Sequence, residues 1–160
     1  MINIVEDVSG PQFGPNDPLK RLKRVVIFIS LFLLLISFTQ VAYCTDDTNA
    51  NEPCANSLLI FIIGWLGGCL GASVTWLANP LLILTYFLLT TKPKYAFITG
   101  VLSFVIALSF LFFRDIMVDE AGHFAKITGY GTGYWLWLCS ALAAAIGSGG
   151  VYFMTKSMSK

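Results

Sequence analysis

Four long apolar runs, separated by short polar segments, organise this chain. Residues 25–43 hold 19 positions without a charge, and at about 1.5 Å per residue a helix of that length crosses a hydrocarbon core of roughly 30 Å. Residues 57–91 form a run of 35, which as one straight helix would be about 52 Å long and must therefore break. The candidate breaks are the glycines Gly64, Gly67, Gly68 and Gly71 and the Asn79-Pro80 pair, because glycine loosens a helix and proline removes a backbone donor. The pattern predicts an interfacial or re-entrant segment over 57–70 and a span over 72–91, kinked at Pro80. Residues 95–113 and 134–155 are two further uncharged spans. The first run exceeds the roughly 7–15 residues of a signal-peptide core and lacks a small-x-small site, so it is expected to stay as an anchor.

Charge chooses between four spans and five. With four, Lys20, Arg21, Lys23, Arg24, Lys92, Lys94, Lys156 and Lys160 share one side and only Arg114 and Lys126 the other, eight against two. Five spans would give six against four, a weaker form of the asymmetry that places basic residues in the cytoplasm. The expectation is an all-α polytopic membrane protein of four transmembrane helices, with cytoplasmic tails at 1–24 and 156–160. The outer segments 44–56 and 114–133 then carry Asp46, Asp47, Glu52, Asp115, Asp119 and Glu120. Tyr43, Trp65, Phe113, Tyr130, Tyr134 and Trp135 fall near the outer boundary, where amphipathic rings settle.

Composition agrees. The chain is 56% hydrophobic and 12% charged, with a mean hydropathy of +0.75, whereas soluble domains hold roughly a quarter charged residues. That excludes an ordinary soluble enzyme, a secreted disulfide scaffold and a disordered tail. The formal charge of +1 argues against a nucleic-acid platform. Short loops and no Asn-x-Ser/Thr acceptor in either outer segment point to a bacterial inner membrane.

Within the spans there is no Asp, Glu, Lys, Arg or His, although carriers, proton relays and voltage sensors place ionisable groups at membrane depth. The spans hold small residues at helical spacing instead. Gly64 and Gly68, and Gly67 and Gly71, are four apart; Ala96, Gly100, Ser103 and Ala107 form one stripe and Ser140, Ala144 and Ser148 another. Such stripes let helix backbones approach closely, either inside one bundle or between copies. Gln40, an amide near the outer end of the first span, is expected to make an interhelical hydrogen bond.

Cys44 and Cys54 lie ten positions apart in the first outer segment, where an oxidising compartment would join them across a short loop. Outward-facing cysteines on a four-helix bundle are similar to those of quinone-linked thiol oxidases. That family needs closely spaced dithiols, and this chain has no Cys-x-x-Cys, with Cys69 and Cys139 isolated in apolar runs. Thr128-Gly129-Tyr130-Gly131-Thr132-Gly133 is similar to the Thr-x-Gly-Tyr-Gly of potassium-channel filters, but Thr128 directly precedes Gly129 and no apolar pore helix comes before it. Its glycines are expected to make a tight connection prone to left-handed backbone. His123, the only histidine, lies near Asp119 and Glu120 without the partners a zinc site requires. Arg114 and Asp115 are expected to anchor at the interface.

No nucleophile–base pair, phosphate loop or cofactor motif occurs, so no catalytic, metal or cofactor role is assigned. The leading functional expectation is an interaction protein, bound to identical copies or to another membrane protein as an accessory subunit, envelope sensor or immunity factor. An oligomeric pore, with Thr128–Gly133 lining its mouth, and a thiol oxidase using Cys44 and Cys54 are the alternatives.

Overall fold

The computed structural model describes residues 18–47, 53–67, 71–118 and 122–158. Three helices are long and apolar enough to cross a membrane: Gly71–Thr91, Pro93–Phe112 and Thr132–Met158. In chain order the elements are α1 (Pro18–Ser37), β1 (Val41–Thr45), β2 (Cys54–Asn56), α2 (Ser57–Ile63), a 3-10 turn (Gly64–Gly67) and a 3-10 helix (Gly71–Leu77). They continue with α3 (Ala78–Thr91), α4 (Pro93–Ser109) with a 3-10 extension (Phe110–Phe112), β3 (Asp115–Met117), β4 (Phe124–Tyr130) and α5 (Thr132–Met158).

The helix expected over 25–43 is displaced. It begins at Pro18, since proline's fixed φ suits a first turn and the Lys and Arg residues that follow are good helix formers. It stops at Ser37, whose hydroxyl donates to the Leu34 carbonyl at 2.6 Å, while the Thr39 hydroxyl donates to the Ile36 carbonyl at 2.8 Å. Gln40 therefore lies in a turn, where its Oε1 accepts from the Thr132 hydroxyl at 3.1 Å.

Pro80 falls in the first turn of α3, just after the seven-residue 3-10 helix Gly71–Leu77 gives way to α-helix, so the proline sits at a change of helix type within the apolar run.

An all-α fold is corrected by a four-stranded antiparallel sheet of order β2-β1-β4-β3. β1 pairs with β2 through Cys44↔Cys54 and with β4 through Tyr43↔Tyr130 and Thr45↔Ile127; β3 pairs with β4 through Asp115↔Lys126. Val41, Tyr43, Thr45, Ile127 and Tyr130 are β-branched or aromatic, the types that fit a pleated surface. The two polar connections expected as separate loops thus form one sheet.

Helix directions follow from side-chain pairs. Val26 packs on Gly147 and Ser30 on Ser140, so α1 and α5 are antiparallel. Thr85 meets Thr99 across the α3–α4 turn, and Gly100 meets Ser148 between α4 and α5. At the end away from the sheet, Lys23 Nζ donates to the Thr90 carbonyl at 3.2 Å.

Many large side chains face outward, and small residues fill the helix contacts together with Leu34, Leu82, Leu89 and Val151. Phe112 is 82% exposed, whereas Ala96, Ser103, Ala107, Ser140, Ala144 and Ser148 are fully buried. That pattern suits a lipid solvent, in which close backbone approach and polar contacts hold helices together. One such contact joins three helices: the Ser30 hydroxyl lies 2.7 Å from the Tyr86 hydroxyl and donates to the Ser140 carbonyl at 2.8 Å.

A double-mutant cycle on Ser30→Ala and Tyr86→Phe is expected to give a coupling of about 0.6–2 kcal/mol, read from unfolding in mixed micelles. Additive losses would mean that the two hydroxyls do not interact.

Candidate functional site

A cleft of about 810 Å³ lies where the sheet meets the helices. That is within the roughly 300–1,000 Å³ of small-molecule sites.

Its wall is built from the sequence between β2 and α3. Asn56 ends β2 and caps α2, its side-chain oxygen accepting from the backbone N–H of Leu58 at 2.8 Å and Leu59 at 3.4 Å. The apolar helix over Ser57–Leu66 would be about 15 Å long, half of what a crossing needs. Both ends of this excursion lie at the sheet: Ser57 N–H donates to the Gln40 carbonyl at 3.1 Å, and Gly71 sits against the Phe124 ring of β4. The segment therefore leaves the sheet and returns to it. Trp76 fixes the return by donating from Nε1 to the Phe61 carbonyl at 2.9 Å, and its ring leaves no room for a side chain at Gly64.

The opposite wall is aromatic. Tyr43, Phe110, Tyr130 and Tyr134 form a cluster with neighbouring ring centroids 5.2–5.7 Å apart, joining β1 and β4 to the ends of α4 and α5. Such pairs contribute about 0.5–1.5 kcal/mol each beyond their buried area. Trp137 of α5 donates to Asn79 Oδ1 of α3 at 2.8 Å, so the buried amide at the bottom is held by a ring. Burial pushes the Tyr43 phenol up to about 12 and raises that of Tyr130, because an ionised ring oxygen would lose its hydration there.

The Thr128–Gly133 stretch does not make a left-handed connection. Thr128, Gly129 and Tyr130 are extended in β4, and positive φ among the described glycines is confined to Gly71 and Gly122. Gly131 and Gly133 serve close approach instead. A side chain at Gly131 would strike the Val41 carbonyl, and one at Gly133 the Ser57 hydroxyl. Gly131 N–H donates to the Ala42 carbonyl at 2.8 Å, closing the step from sheet to helix.

The remaining candidates are dispersed. Cys44 and Cys54 form a disulfide across β1 and β2, a staple contributing about 2–3 kcal/mol for so short a loop. Arg114, Asp115 and His123 are exposed on the sheet; the Arg114 carbonyl accepts from Ile127 N–H at 2.8 Å, and the His123 carbonyl from Val118 N–H at 2.9 Å. The Asp46 carboxylate accepts from Lys126 N–H at 2.8 Å, tying the two outer segments together. Ala96, Gly100, Ser103, Ala107, Ser140, Ala144 and Ser148 lie inside the bundle and do not line the cleft, although the Ala107 carbonyl backs it by accepting from the Tyr134 hydroxyl at 3.2 Å. Gly64 lines the cleft, and Gly67 closes the 3-10 turn beside it. Gly68, Cys69, Glu52, Asp119, Glu120 and the tails 1–17 and 159–160 fall outside the described residues. Among the described residues no three His, Cys, Asp or Glu side chains come together as a metal site.

The fold and cleft define a class: a helical membrane-type protein with an antiparallel sheet at one end of its long apolar helices. The chain matches no protein-family model, and no curated protein or solved structure shows significant similarity to it.

The Tyr43 shift fixes a pH dependence. A phenol whose ionisation is raised by folding contributes stability that is complete below pH 10 and is lost as pH climbs toward about 12. Thermal unfolding in detergent is expected to shift downward across that window, and Tyr43→Phe should flatten the decline. An unchanged alkaline slope in the variant would show that Tyr43 is not buried as described.

Proposed function

We propose that this chain is a membrane protein of four crossings, α1 included, that acts by binding a partner at its sheet-capped end and performs no chemistry of its own. The observation that carries this is the joining of both polar segments into one sheet through β1 and β4. Segments hydrogen-bonded to one another must share a side of the membrane, so the helices between them go out and back. α1 has the same two ends as its neighbours: it feeds β1 at one, and meets Thr90 through Lys23 at the other.

Lys20, Arg21, Lys23, Arg24, Lys92, Lys94 and Lys156 all sit at the ends remote from the sheet. The positive-inside rule then favours a cytoplasmic location for both termini and an outer location for the sheet. A disulfide on β1 and β2 suits an oxidising exterior, as in the periplasmic face of a bacterial inner membrane.

With the bundle's small residues consumed internally, the sheet end supplies the recognition surface. An accessory subunit, an envelope sensor and an immunity factor are all roles of this kind, with another membrane protein as the favoured partner. A pore at Thr128–Gly133 has less support because β4, which holds Thr128–Tyr130, lies between two strands that engage its backbone on both edges, and Thr132 and Gly133 already belong to α5. A thiol oxidase has less support because Cys44 and Cys54 bridge paired strands, and the described free cysteine, Cys139, is exposed on α5 far along the chain.

A photoreactive residue at Phe124, exposed on β4, is expected to form a protein adduct in native membranes, while one at the outward-facing Phe28 of α1 should couple to lipid only. In the same cells, a cysteine replacing Asp46 should react with an impermeant reagent from outside and one replacing Lys94 only after permeabilisation. A particle of 17.6 kDa without adducts at Phe124, or labelling of both cysteines from one side, would overturn the proposal.

A further inference from the structure

We infer that the outward face of α1 binds an anionic phospholipid of the leaflet remote from the sheet, with its phosphate on Arg21 and Arg24 and an acyl chain along Phe28, Phe32 and Leu35. The inference rests on the four-crossing reading only in that α1 must lie in the bilayer; it is a separate matter from any protein partner of the sheet.

The order of residues on that face is the first argument. Arg21, Arg24, Phe28, Phe32 and Leu35 follow one another at steps of three or four, so they form one line along the helix. All five are exposed, Phe28 at 69%. The line lies opposite the face of Val26, Ser30, Leu34 and Ser37, which the bundle buries. It runs from two guanidiniums into aromatic and aliphatic side chains, the order of parts in a lipid read from its head. The Phe28 and Phe32 rings adjoin in nearly parallel planes, with 6.1 Å between centroids. From Arg24 to Leu35 the line measures about 16 Å, close to half of a hydrocarbon core of roughly 30 Å, so it matches the depth of one leaflet.

Charge supplies the second. Lys20, Lys92 and Lys94 are exposed at the same end, where the half-buried Lys23 reaches the Thr90 carbonyl. With Arg21 and Arg24 they make six cations. The described acids, Asp46, Asp47 and Asp115, all belong to the sheet end. Neither α1 nor α4, which both begin beside the cations, has an acid in its first turn, and the positive ends of their dipoles add to the field.

The two together select the ligand. A cluster of cations beside a membrane crossing attracts anionic lipid, and the arginine fork bonds a phosphate through two N–H groups at once. Arg21 and Arg24 are the arginines of this cluster, one turn apart and both on the line. A zwitterionic head brings its own cation to the same place and gains less. A soluble phosphate leaves the apolar part of the line unused. Phosphatidylglycerol has the required charge and chains and serves as the probe.

The full-length chain, with a photoreactive phenylalanine analogue at Phe28, is placed in nanodiscs of equal parts phosphatidylglycerol and phosphatidylcholine with identical chains. Both leaflets then have one composition, so orientation does not enter. After illumination, lipid adducts are counted by mass spectrometry. Phosphatidylglycerol adducts are expected to exceed phosphatidylcholine adducts about fivefold, the worth of one basic contact with an anionic surface. Arg21→Gln and Arg24→Gln should each lower the ratio, and the double change should return it to one, with helix content by circular dichroism unchanged. Lys126→Gln, on the sheet, should leave it as it was. At Phe112, 82% exposed at the sheet end of α4, the analogue should report the bulk ratio. Inorganic phosphate should have no more effect than chloride at the same ionic strength.

An enrichment that survives the loss of both arginines, or that is equally large at Phe112, would overturn the site. Loss of enrichment in phosphate but not in chloride would make the ligand a free phosphate and overturn the lipid. The adducts at Phe28 also separate the two levels. No lipid adduct there would remove α1 from the bilayer and the four-crossing reading with it. Lipid adducts at the bulk ratio would leave that reading standing and remove the lipid site alone.

Discussion

The pairing of β1 with β4 joins Tyr43 to Tyr130 and Thr45 to Ile127, and the rest of the molecule is arranged around that join. Polar chain leaving a bilayer core must satisfy its backbone donors and acceptors as soon as the helices end. Here the segments do so with each other. Because β1 follows α1 and β4 precedes α5, the sheet holds those two helices side by side and antiparallel. α3 and α4 form a hairpin that starts and finishes at the same sheet. The disulfide holds β2 on the outer edge of β1, so that the Asn56 cap launches α2 from a fixed point. A cleft at this junction is a consequence: the sheet caps the bundle without filling the space beside the short α2 segment.

Below the sheet a different force operates. Lipid removes the hydrophobic drive between helices, and contact surface has to come from shape. Gly100 shows how tight the fit is: a β-carbon there would lie 3.0 Å from Ser148 Oγ and 3.2 Å from the Ala145 backbone. The hydroxyls between the helices mostly turn back to their own backbone, as Thr85, Thr99 and Ser148 do. A few cross to a neighbour, as Ser30 and Ser103 do. The interior is thus polar enough to fix helix partners, with hydroxyls rather than charges between the helices.

The apolar runs were legible because three of them satisfy a length criterion set by the bilayer, and the Cys44–Cys54 bond because two cysteines shared one short polar segment. The stripe through Ala96, Gly100, Ser103 and Ala107 was visible as a face, though spacing alone cannot say which helix covers it. The sheet was hidden. Strands of three to seven residues carry little periodic signal, and the central pairing, β1 with β4, joins residues more than eighty apart. Tyr43 read as the last residue of a span because aromatic residues suit a membrane boundary and a strand equally well. The change from 3-10 to α-helix just before Pro80 was not legible because both helix types make the same apolar pattern. The glycines at 131 and 133 announced special backbone, but what they serve, the approach of the Val41 carbonyl and the Ser57 hydroxyl, exists only once distant segments meet. The cleft shares that origin, since its lining is drawn from elements spread from α1 to α5.

The most direct test of the β1–β4 join is a cysteine pair at Thr45 and Ile127, opposed residues in an antiparallel ladder whose α-carbons lie about 4.5–5.5 Å apart, within the range a disulfide spans. Mild oxidation of native membranes followed by peptide mapping should recover an intramolecular 45–127 link with the Cys44–Cys54 bond retained. Recovery of that link only between separate chains, or not at all in a folded protein, would contradict the account.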